Sequence, residues 1–380
     1  MSSSTGDPAA GEGTFEQEAP LSGTDLILRV VAAAAVLVAA SYAFSAAFTF
    51  LKSRDANRAL VVLVAIVVGV GGVFALFWGM NKVVDWIHPR FREGIRPYVF
   101  VGPALVILSV FLVYPVINTL MLAFKDSRGD NFVGLENFKF VFTDSSMLRS
   151  LRNTLGWMIL VPTVAVSIGL GFATLADRLR RGEAVAKSLI FLPMAISFAG
   201  AAITFRLIYS FRPEGFGSNI GLLNGIMLGL GKHPVDWLQI HPWNNLFLMV
   251  IMVWMQTGFA MVVLSAAIKA VPDEIIEAAR IDGATELQVF RRVIIPTILP
   301  TIVVVTTYMV INALKVFDIV FVMGNSATSG TEVVAERMIY WYFIGANSGR
   351  GAAIAVVLFL AVIPVMVFNV RRFREEEAIR

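Results

Sequence analysis

Three ionisable side chains lie inside long apolar runs of the sequence: Arg206, Lys315 and Asp318. A charge in the hydrocarbon of a membrane is costly, so such residues usually carry ions or protons, or contact a substrate. Lys315 and Asp318 are three residues apart, and this spacing also allows them to pair with each other. We expect a structural ion pair near the outer membrane face, with ion coupling as the functional alternative.

The sequence lacks the residues for nucleotide and thiol chemistry. No Gly-x-x-x-x-Gly-Lys-Ser/Thr phosphate loop is present, and Gly-Leu-Gly-Lys-His at 229–233 has neither the spacing nor the hydroxyl. The absence of cysteine excludes disulfides, thiolate metal sites and a Cys nucleophile. We therefore expect no catalytic residue, no metal site and no cofactor bound by this chain.

The composition is that of a membrane protein. The chain is 57% hydrophobic and 15% charged, with a mean hydropathy of +0.75, whereas soluble domains carry about 25% charged residues. Its formal net charge of +4 is small and spread along the chain. A nucleic-acid-binding protein would concentrate Lys and Arg on one face, so nucleic acid is not an expected partner.

Long apolar segments predict an all-α, polytopic fold with eight transmembrane helices. A spanning helix needs about 20 apolar residues. The segments that qualify lie at 26–51, 59–80, 98–124, 153–176, 188–211, 244–268, 297–323 and 351–370. Residues 1–24 are rich in Ser, Gly, Pro and acid and are expected to be disordered. They lack the basic segment of a secretory signal, so the first apolar run should remain as a membrane anchor.

Basic residues and small residues predict orientation and packing. With both termini in the cytoplasm, the inner loops hold somewhat more Lys and Arg than the outer loops, although the first outer turn is unfavourably basic. This places the polar segment 272–296 inside. Ser167 with Gly171, and Gly169 with Ala173, have the spacing that lets membrane helices approach closely.

The polar segment 272–296 predicts two short helices projecting from the bilayer. Pro272-Asp273 favours a helix start with Asp as the cap, and Gly283 can take the left-handed conformation that ends a helix. Thr285 and Gln288 fit a capping box for the second helix. The apolar side chains that we expect to be offered to a partner groove are Ile275, Ile276 and Ala279.

This segment resembles the EAA loop of bacterial ABC-importer permeases. The matching residues are Glu277-Ala278-Ala279, then Gly283, then Val293-Ile294-Ile295-Pro296, with Val293 and Ile295 replacing the usual Ile and Leu. The resemblance implies that a separate ATPase docks here. Its coupling residues would be Glu277, Ala278, Ala279, Asp282 and Gly283. It also implies two such ATPase subunits binding ATP and Mg, a second homologous permease and an extracytoplasmic solute-binding protein, all in a bacterial inner membrane.

Further motifs resemble the carbohydrate-uptake branch of that family. They are Phe132-Val133-Gly134-Leu135-Glu136-Asn137-Phe138, Asn153-Thr154, Leu314-Lys315-Val316-Phe317-Asp318 and Arg350-Gly351-Ala352-Ala353-Ile354-Ala355. The family's Gly-Gly-Pro after the seventh span is missing. Two extra N-terminal helices (25–97) before a six-helix type I core (98–370), followed by a short tail (371–380), are similar to the larger permease subunit of maltose-type and α-glucoside importers.

The same resemblance implies a set of sugar-contacting positions. They fall on Met255, Gln256, Phe259, Met309, Asn312, Ala313 and Val316. Only Gln256, Phe259 and Asn312 keep the amide or aromatic chemistry of a sugar site. Packing is the alternative role for Phe259, and interhelical hydrogen bonding is the alternative for the two amides.

The sequence therefore predicts the pore subunit of an ATP-driven, binding-protein-dependent sugar importer, for a disaccharide or a small α-glucoside. Two alternatives stay open at this point. One is an ion-coupled secondary transporter using Lys315 and Asp318, and the other is a membrane scaffold without a transport pathway.

Overall fold

The computed structural model describes residues 42, 44–53, 57–85, 89–177, 179, 181–213, 215, 217, 220–324 and 326–379. The chain divides into two units, Met1–Tyr114 and Pro115–Arg380. The predicted disordered tail 1–24 lies outside the described residues, as does most of the first predicted span, of which residues 44–51 are helical.

The first unit contains two long helices. Helix α1 is Arg58–Asp85, and α2 is Pro89–Leu108, which continues as the π-helical turn Ser109–Val113. The Phe77 and Phe100 rings stack at 6.1 Å between them. Their remaining apolar side chains are largely exposed, as with Phe74 at 72%. Lipid tails are as apolar as these side chains, so a membrane helix does not need to bury them in protein.

The second unit is built from helices of very different lengths. The first half holds α3 Tyr114–Leu122, α4 Glu136–Thr143, α5 Ser145–Asp177, α6 Glu183–Phe191, α7 Phe198–Ile208, α8 Leu222–Gly229 and α9 Asn244–Lys269. The second half holds α10 Asp273–Ile281, α11 Glu286–Val289, α12 Ile295–Leu314, α13 Asp318–Met323, α14 Ser326–Ser329, α15 Val334–Ile339 and α16 Ser348–Ile379. The π-helical segments Phe290–Ile294 and Tyr340–Ile344 follow α11 and α15, and the 3₁₀ segment Leu192–Ala195 follows α6.

The predicted spans are confirmed wherever the structure describes them, with two corrections. Six described helices are long and apolar enough to cross a membrane, and a bent pair makes a seventh. The predicted fifth span is this pair, Glu183–Ala195 and Phe198–Ile208, bent by 98°. The predicted seventh span is not one helix to residue 323, because α12 ends at Leu314 and α13 is separate. Residues 371–379 of the predicted tail continue α16.

Small residues set the closest helix approaches. A Cβ on Gly169 would lie 2.5 Å from Ala260 Cβ, so α5 and α9 meet there, next to the fully buried Ala173. This confirms the predicted packing of Gly169 with Ala173. The prediction for Ser167 and Gly171 is wrong within this chain, because Ser167 is exposed and a Cβ on Gly171 would meet nothing within 4 Å. That pair lies on the opposite side of α5 from the core.

Several residues of the carbohydrate-branch motifs hold loops together at one end of the bundle. Asn137 donates hydrogen bonds to the carbonyls of Ala123 and Lys125 (3.0 and 2.7 Å). Asn153 donates to the carbonyls of Gly330 and Glu332 (2.9 and 2.8 Å). We call this the far end. The opposite end, where residues 270–285 connect α9 to α11, is the coupling end.

Candidate functional site

The first helix of the coupling segment begins one residue earlier than its cap signal predicts. Pro272 is the N-cap of α10 and gives no side-chain hydrogen bond, while Asp273 is already helical. The prediction that Asp273 caps the helix is therefore wrong. Asp273 and Glu274 lie in the first turn instead, where their negative charges favour the positive end of the helix dipole.

Gly283 ends α10 as the sequence predicts. Its φ is 83°, a conformation that glycine reaches without steric cost. The Gly283 N–H donates to the carbonyl of Arg280, and the Ala284 N–H donates to the carbonyl of Ala279, both at 3.0 Å. These two bonds are the Schellman pattern of a helix end, and they fix the direction in which the chain leaves α10.

The second helix starts with the predicted capping box. The Thr285 N–H donates to Gln288 Oε1 at 2.8 Å, and the Gln288 N–H donates to Thr285 Oγ1 at 3.4 Å. Only one residue, Ala284, therefore separates the left-handed Gly283 from the cap of α11. The turn between the two short helices is specified on both sides by local sequence.

An ion pair that we did not predict spans this turn. Arg280 Nε and Nη2 donate to the two carboxylate oxygens of Glu286, at 2.9 and 3.3 Å. These hydrogen bonds raise the pKa of Arg280 above its usual value. Their six-residue spacing crosses a helix boundary, so the usual spacings of three and four within one helix could not reveal the pair.

The surface of the coupling segment differs in part from the prediction. Glu277, Ala278, Asp282 and Gly283 are exposed, whereas Ala279 is half-buried. Of the predicted apolar contacts, Ile275 is exposed but Ile276 is half-buried. The most exposed large apolar residue here is Ile281, at 85%. Ile275, Ala278 and Ile281 thus form an exposed apolar strip along α10.

An ionic cluster joins three helices next to the coupling segment. Lys187 Nζ lies 2.5 Å from Asp177 Oδ1 and 2.6 Å from Glu183 Oε1. Ser265 Oγ donates to the same Asp177 oxygen at 2.7 Å, and Lys269 contacts Glu183. The ends of α5, α6 and α9 are therefore tied together four residues before α10 begins. A rigid connection of this kind can transmit a displacement of α10 to the helices above it.

A cavity of about 400 Å³ opens where the fifth span is bent. Its walls come from the break between α6 and α7 and from α9, α12 and α13. The lining residues are Met194, Ile196, Ser197, Phe198, Ala199, Met255, Gln256, Tyr308 and Asp318. A pocket of this size suits a small organic ligand. Irregular backbone at membrane depth is tolerated where it lines such a cavity.

Gly258 allows the broken segment to approach α9. A Cβ at this position would lie 2.4 Å from the carbonyl oxygen of Ile190 and 2.7 Å from Phe191 Cα. On the other side of the break, Ser197 caps α7 by accepting a hydrogen bond from the Gly200 N–H at 3.1 Å. The shape of the cavity therefore depends on one close backbone contact and one helix cap.

The polar groups of the cavity keep free hydrogen-bonding capacity. Gln256 is only 3% exposed, and neither its amide nor the Asp318 carboxylate has a side-chain partner among the described residues. Tyr308 brings a phenol hydroxyl. The site can thus offer amide, hydroxyl and carboxylate groups beside the aromatic rings of Phe198 and Tyr308.

The three predicted sugar-binding residues do not come together in this cavity. Gln256 lines it, but Phe259 and Asn312 do not. Phe259 packs on the Tyr308 ring at a centroid distance of 4.7 Å, and Asn312 Nδ2 donates to the Tyr308 carbonyl at 2.9 Å. Both therefore contact a lining residue rather than the cavity itself.

The other four positions that the resemblance implied as sugar contacts also fall into two groups, one that lines the cavity and one that does not. Met255 lines the cavity, whereas Met309, Ala313 and Val316 are buried in the hydrophobic core. This set of positions missed seven lining residues: Met194, Ile196, Ser197, Phe198, Ala199, Tyr308 and Asp318. Asp318 had a signal of its own, since it is a charge in an apolar run.

The expected pairing of Lys315 with Asp318 is not observed. No ion pair within the part of the chain that the structure describes joins them, and Lys315 is exposed. The cause is the end of α12, since Lys315 is its C-cap and the three-residue helical spacing no longer applies. Arg206 is exposed in the last turn of α7, where a positive charge favours the helix dipole.

Comparison with known proteins assigns the chain to a family. The model of the family described as "Binding-protein-dependent transport system inner membrane component" matches residues 165–373, more than half of the chain. This range contains the coupling segment and every lining residue of the cavity.

Two relatives match over most of their own length. The osmoprotective compounds uptake permease protein GgtC of Synechocystis is 52% identical over 281 residues, covering 74% of this chain and all of the relative. The alpha-glucoside transport system permease protein AglF of Rhizobium meliloti is 44% identical, covering 84% of this chain and 98% of the relative.

The fold is also that of a solved transporter. One chain of a bacterial ABC transporter that imports the acidic polysaccharide alginate superposes with a TM-score of 0.66 at 22% identity, covering 75% of this chain and 99% of that one. The family match, the two relatives and the helical architecture agree. The chain belongs to the inner-membrane permease components of binding-protein-dependent ABC transport systems.

Proposed function

We propose that this permease carries a sugar, a disaccharide or a small α-glucoside, through the cavity at the bent fifth span. The observation that carries the proposal is a cavity of about 400 Å³ in which the buried Gln256 and the half-buried Asp318 have no side-chain partner within the described residues and lie beside aromatic rings. Sugars present hydroxyl groups and apolar ring faces, and this mixture of amide, phenol and aromatic groups complements both. The relative from Rhizobium is named as an alpha-glucoside permease, which supports the same substrate class.

The coupling segment is proposed as the docking site for a separate ATPase. Its support is the exposed apolar strip of Ile275, Ala278 and Ile281, held on a helix whose end is fixed by Gly283 and by the Arg280–Glu286 pair. An amphipathic helix that presents such a strip fits into a groove of a partner. Glu277, Ala279 and Asp282 complete the proposed contact.

The proposed assembly contains this chain, a second homologous permease, two ATPase subunits that bind ATP and Mg, and an extracytoplasmic solute-binding protein. It lies in the plasma membrane of a bacterium, with both termini of this chain in the cytoplasm. The coupling end then faces the cytoplasm and the ATPases. The far end faces the binding protein, which would deliver the sugar.

In the proposed cycle, this chain binds and releases the sugar but breaks no covalent bond. Closure of the ATPase pair displaces α10, and the cluster around Lys187 passes the displacement to α5, α6 and α9. Since α9 and the 3₁₀ segment that follows α6 both line the cavity, their movement changes its access. The ion-coupled alternative is not supported, because the chain belongs to the permease components of binding-protein-dependent ABC transport systems.

Uptake by the reconstituted complex tests this function. We expect proteoliposomes containing both permeases and the ATPases to accumulate maltose or trehalose only with ATP and the cognate binding protein present. Collapsing the ion gradients with ionophores should leave this uptake unchanged. Uptake that needs a proton or sodium gradient and no ATP would contradict the proposal.

A further inference from the structure

The single carboxylate among the lining residues distinguishes this cavity from an ordinary polar pocket. Among the described residues that line it, Asp318 is the only one with a side chain that is charged at neutral pH in its ordinary form. It is the first residue of α13 and is half-buried. No described basic side chain forms an ion pair with it. Its negative charge is therefore not paired with a basic side chain in the described part of the chain.

The surroundings of Asp318 strengthen the effect of this charge on a ligand. The cavity lies in a membrane-spanning bundle, and most of its lining is apolar, from Met194, Ile196, Phe198, Ala199 and Met255. Charges interact more strongly beside apolar walls than in bulk water. An anionic ligand would bring a second negative charge beside Asp318, and none of the described lining residues is a Lys, an Arg or a His.

The hydrogen-bonding pattern of the site favours hydroxyl groups. A carboxylate only accepts hydrogen bonds, and a sugar hydroxyl can donate one. Such charge-assisted bonds are about twice as strong as neutral ones. Gln256 can both donate and accept, so it can bind a neighbouring hydroxyl in either sense.

From these observations we infer that Asp318 sets the charge class of the substrate. Its carboxylate accepts hydrogen bonds from the hydroxyl groups of an uncharged sugar or polyol, and it excludes sugars that carry a carboxylate or a phosphate. This inference rests on the proposed sugar function and adds a selectivity that the function alone does not require.

The test compares two ligands that differ in one group. Methyl α-D-glucoside and methyl α-D-glucuronide share the same ring, but the second has a carboxylate in place of the hydroxymethyl group. Their dissociation constants would be measured by saturation-transfer NMR on the purified complex of both permeases and the ATPases, without the binding protein. Trehalose serves as a second uncharged probe.

The expected result is a preference of at least about tenfold for the glucoside over the glucuronide in the wild-type complex. Asp318→Asn keeps the shape but removes the charge, so it should weaken glucoside binding and reduce the preference to within about threefold. Asp318→Glu should keep the preference, because it keeps the charge. Glu136→Gln, which removes an exposed carboxylate outside the cavity, should behave as wild type.

Two results would overturn the inference while leaving the sugar function intact. One is a wild-type complex that binds both ligands equally well. The other is an Asp318→Asn complex that assembles normally and keeps the full preference for the glucoside. Failure of the wild-type complex to bind trehalose or either glucose derivative would instead refute the proposed sugar function, and the inference with it.

Discussion

At the scale of single residues, Gly283 is the position where replacing the glycine should decide whether the permease remains coupled to the ATPase. A Cβ at Gly283 would meet nothing within 4 Å, so a substitution there acts through the backbone alone. The observed φ of 83° costs an ordinary residue about 1–2 kcal/mol, and more for a β-branched one. Asn tolerates this conformation better than other residues.

We therefore expect Gly283→Val to uncouple the complex and Gly283→Asn to remain close to wild type. Sugar-stimulated ATPase activity in proteoliposomes should fall about tenfold or more with Val, while membrane insertion survives. Equal activities for the two variants would show that the left-handed turn is not needed for coupling.

Asp318 and Asn312 show at the same scale why the site could be predicted only in part. The predicted pairing of Asp318 with Lys315 assumed a continuous helix, but α12 ends at Leu314. The ligand role of Asn312 stays a prediction, because its Nδ2 donates to the carbonyl four residues earlier and the residue does not line the cavity. Gln256 is the predicted site residue that does line the cavity, because it lies next to the bend of the fifth span where the cavity forms.

At the scale of helices, the bend of the fifth span creates the cavity, and Gly258 on α9 permits the bend. Two backbone atoms of 190–191 would lie within 2.7 Å of an added Cβ at Gly258, and backbone cannot move aside as a flexible side chain can. Gly258→Ala should therefore destabilise the chain by about 1–3 kcal/mol and displace the wall of the cavity.

The measurement for Gly258→Ala is the thermal unfolding temperature of the purified complex together with its affinity for trehalose. Both should fall. Gly225→Ala on α8 is the matched control, because nothing lies within 4 Å of that position. Unchanged unfolding and affinity in Gly258→Ala would mean that the close contact is not maintained in the assembled protein.

The bend itself could not be predicted from hydrophobicity, because the apolar run of the fifth span continues through the break. Pro193 and Ser197 carry a local signal, since proline is common at the start of a 3₁₀ turn and Ser caps the next helix. The short coupling helices, in contrast, were predicted closely. Their ends depend on caps within a few residues rather than on packing against distant segments.

At the scale of the whole molecule, the length of the apolar runs predicted the spans that the structure describes and therefore the membrane class. Contacts between segments that are distant in the sequence could not be predicted in the same way. The cluster of Asp177, Glu183, Lys187, Ser265 and Lys269 joins residues up to 92 positions apart, and no local pattern indicates such a pairing. The same holds for the cavity, whose walls come from three regions of the chain.

The central claim for the whole molecule is that the coupling segment docks the ATPase through its exposed apolar strip. Co-purification of the ATPase with this chain carrying Ile281→Asp tests it most directly, because Ile281 is 85% exposed and its replacement should not disturb folding. Leu230→Asp, at a 67% exposed residue between the fifth and sixth spans, is the control. We predict that Ile281→Asp reduces recovery of the ATPase at least about tenfold while Leu230→Asp retains it. Full recovery of the ATPase with Ile281→Asp would contradict the account.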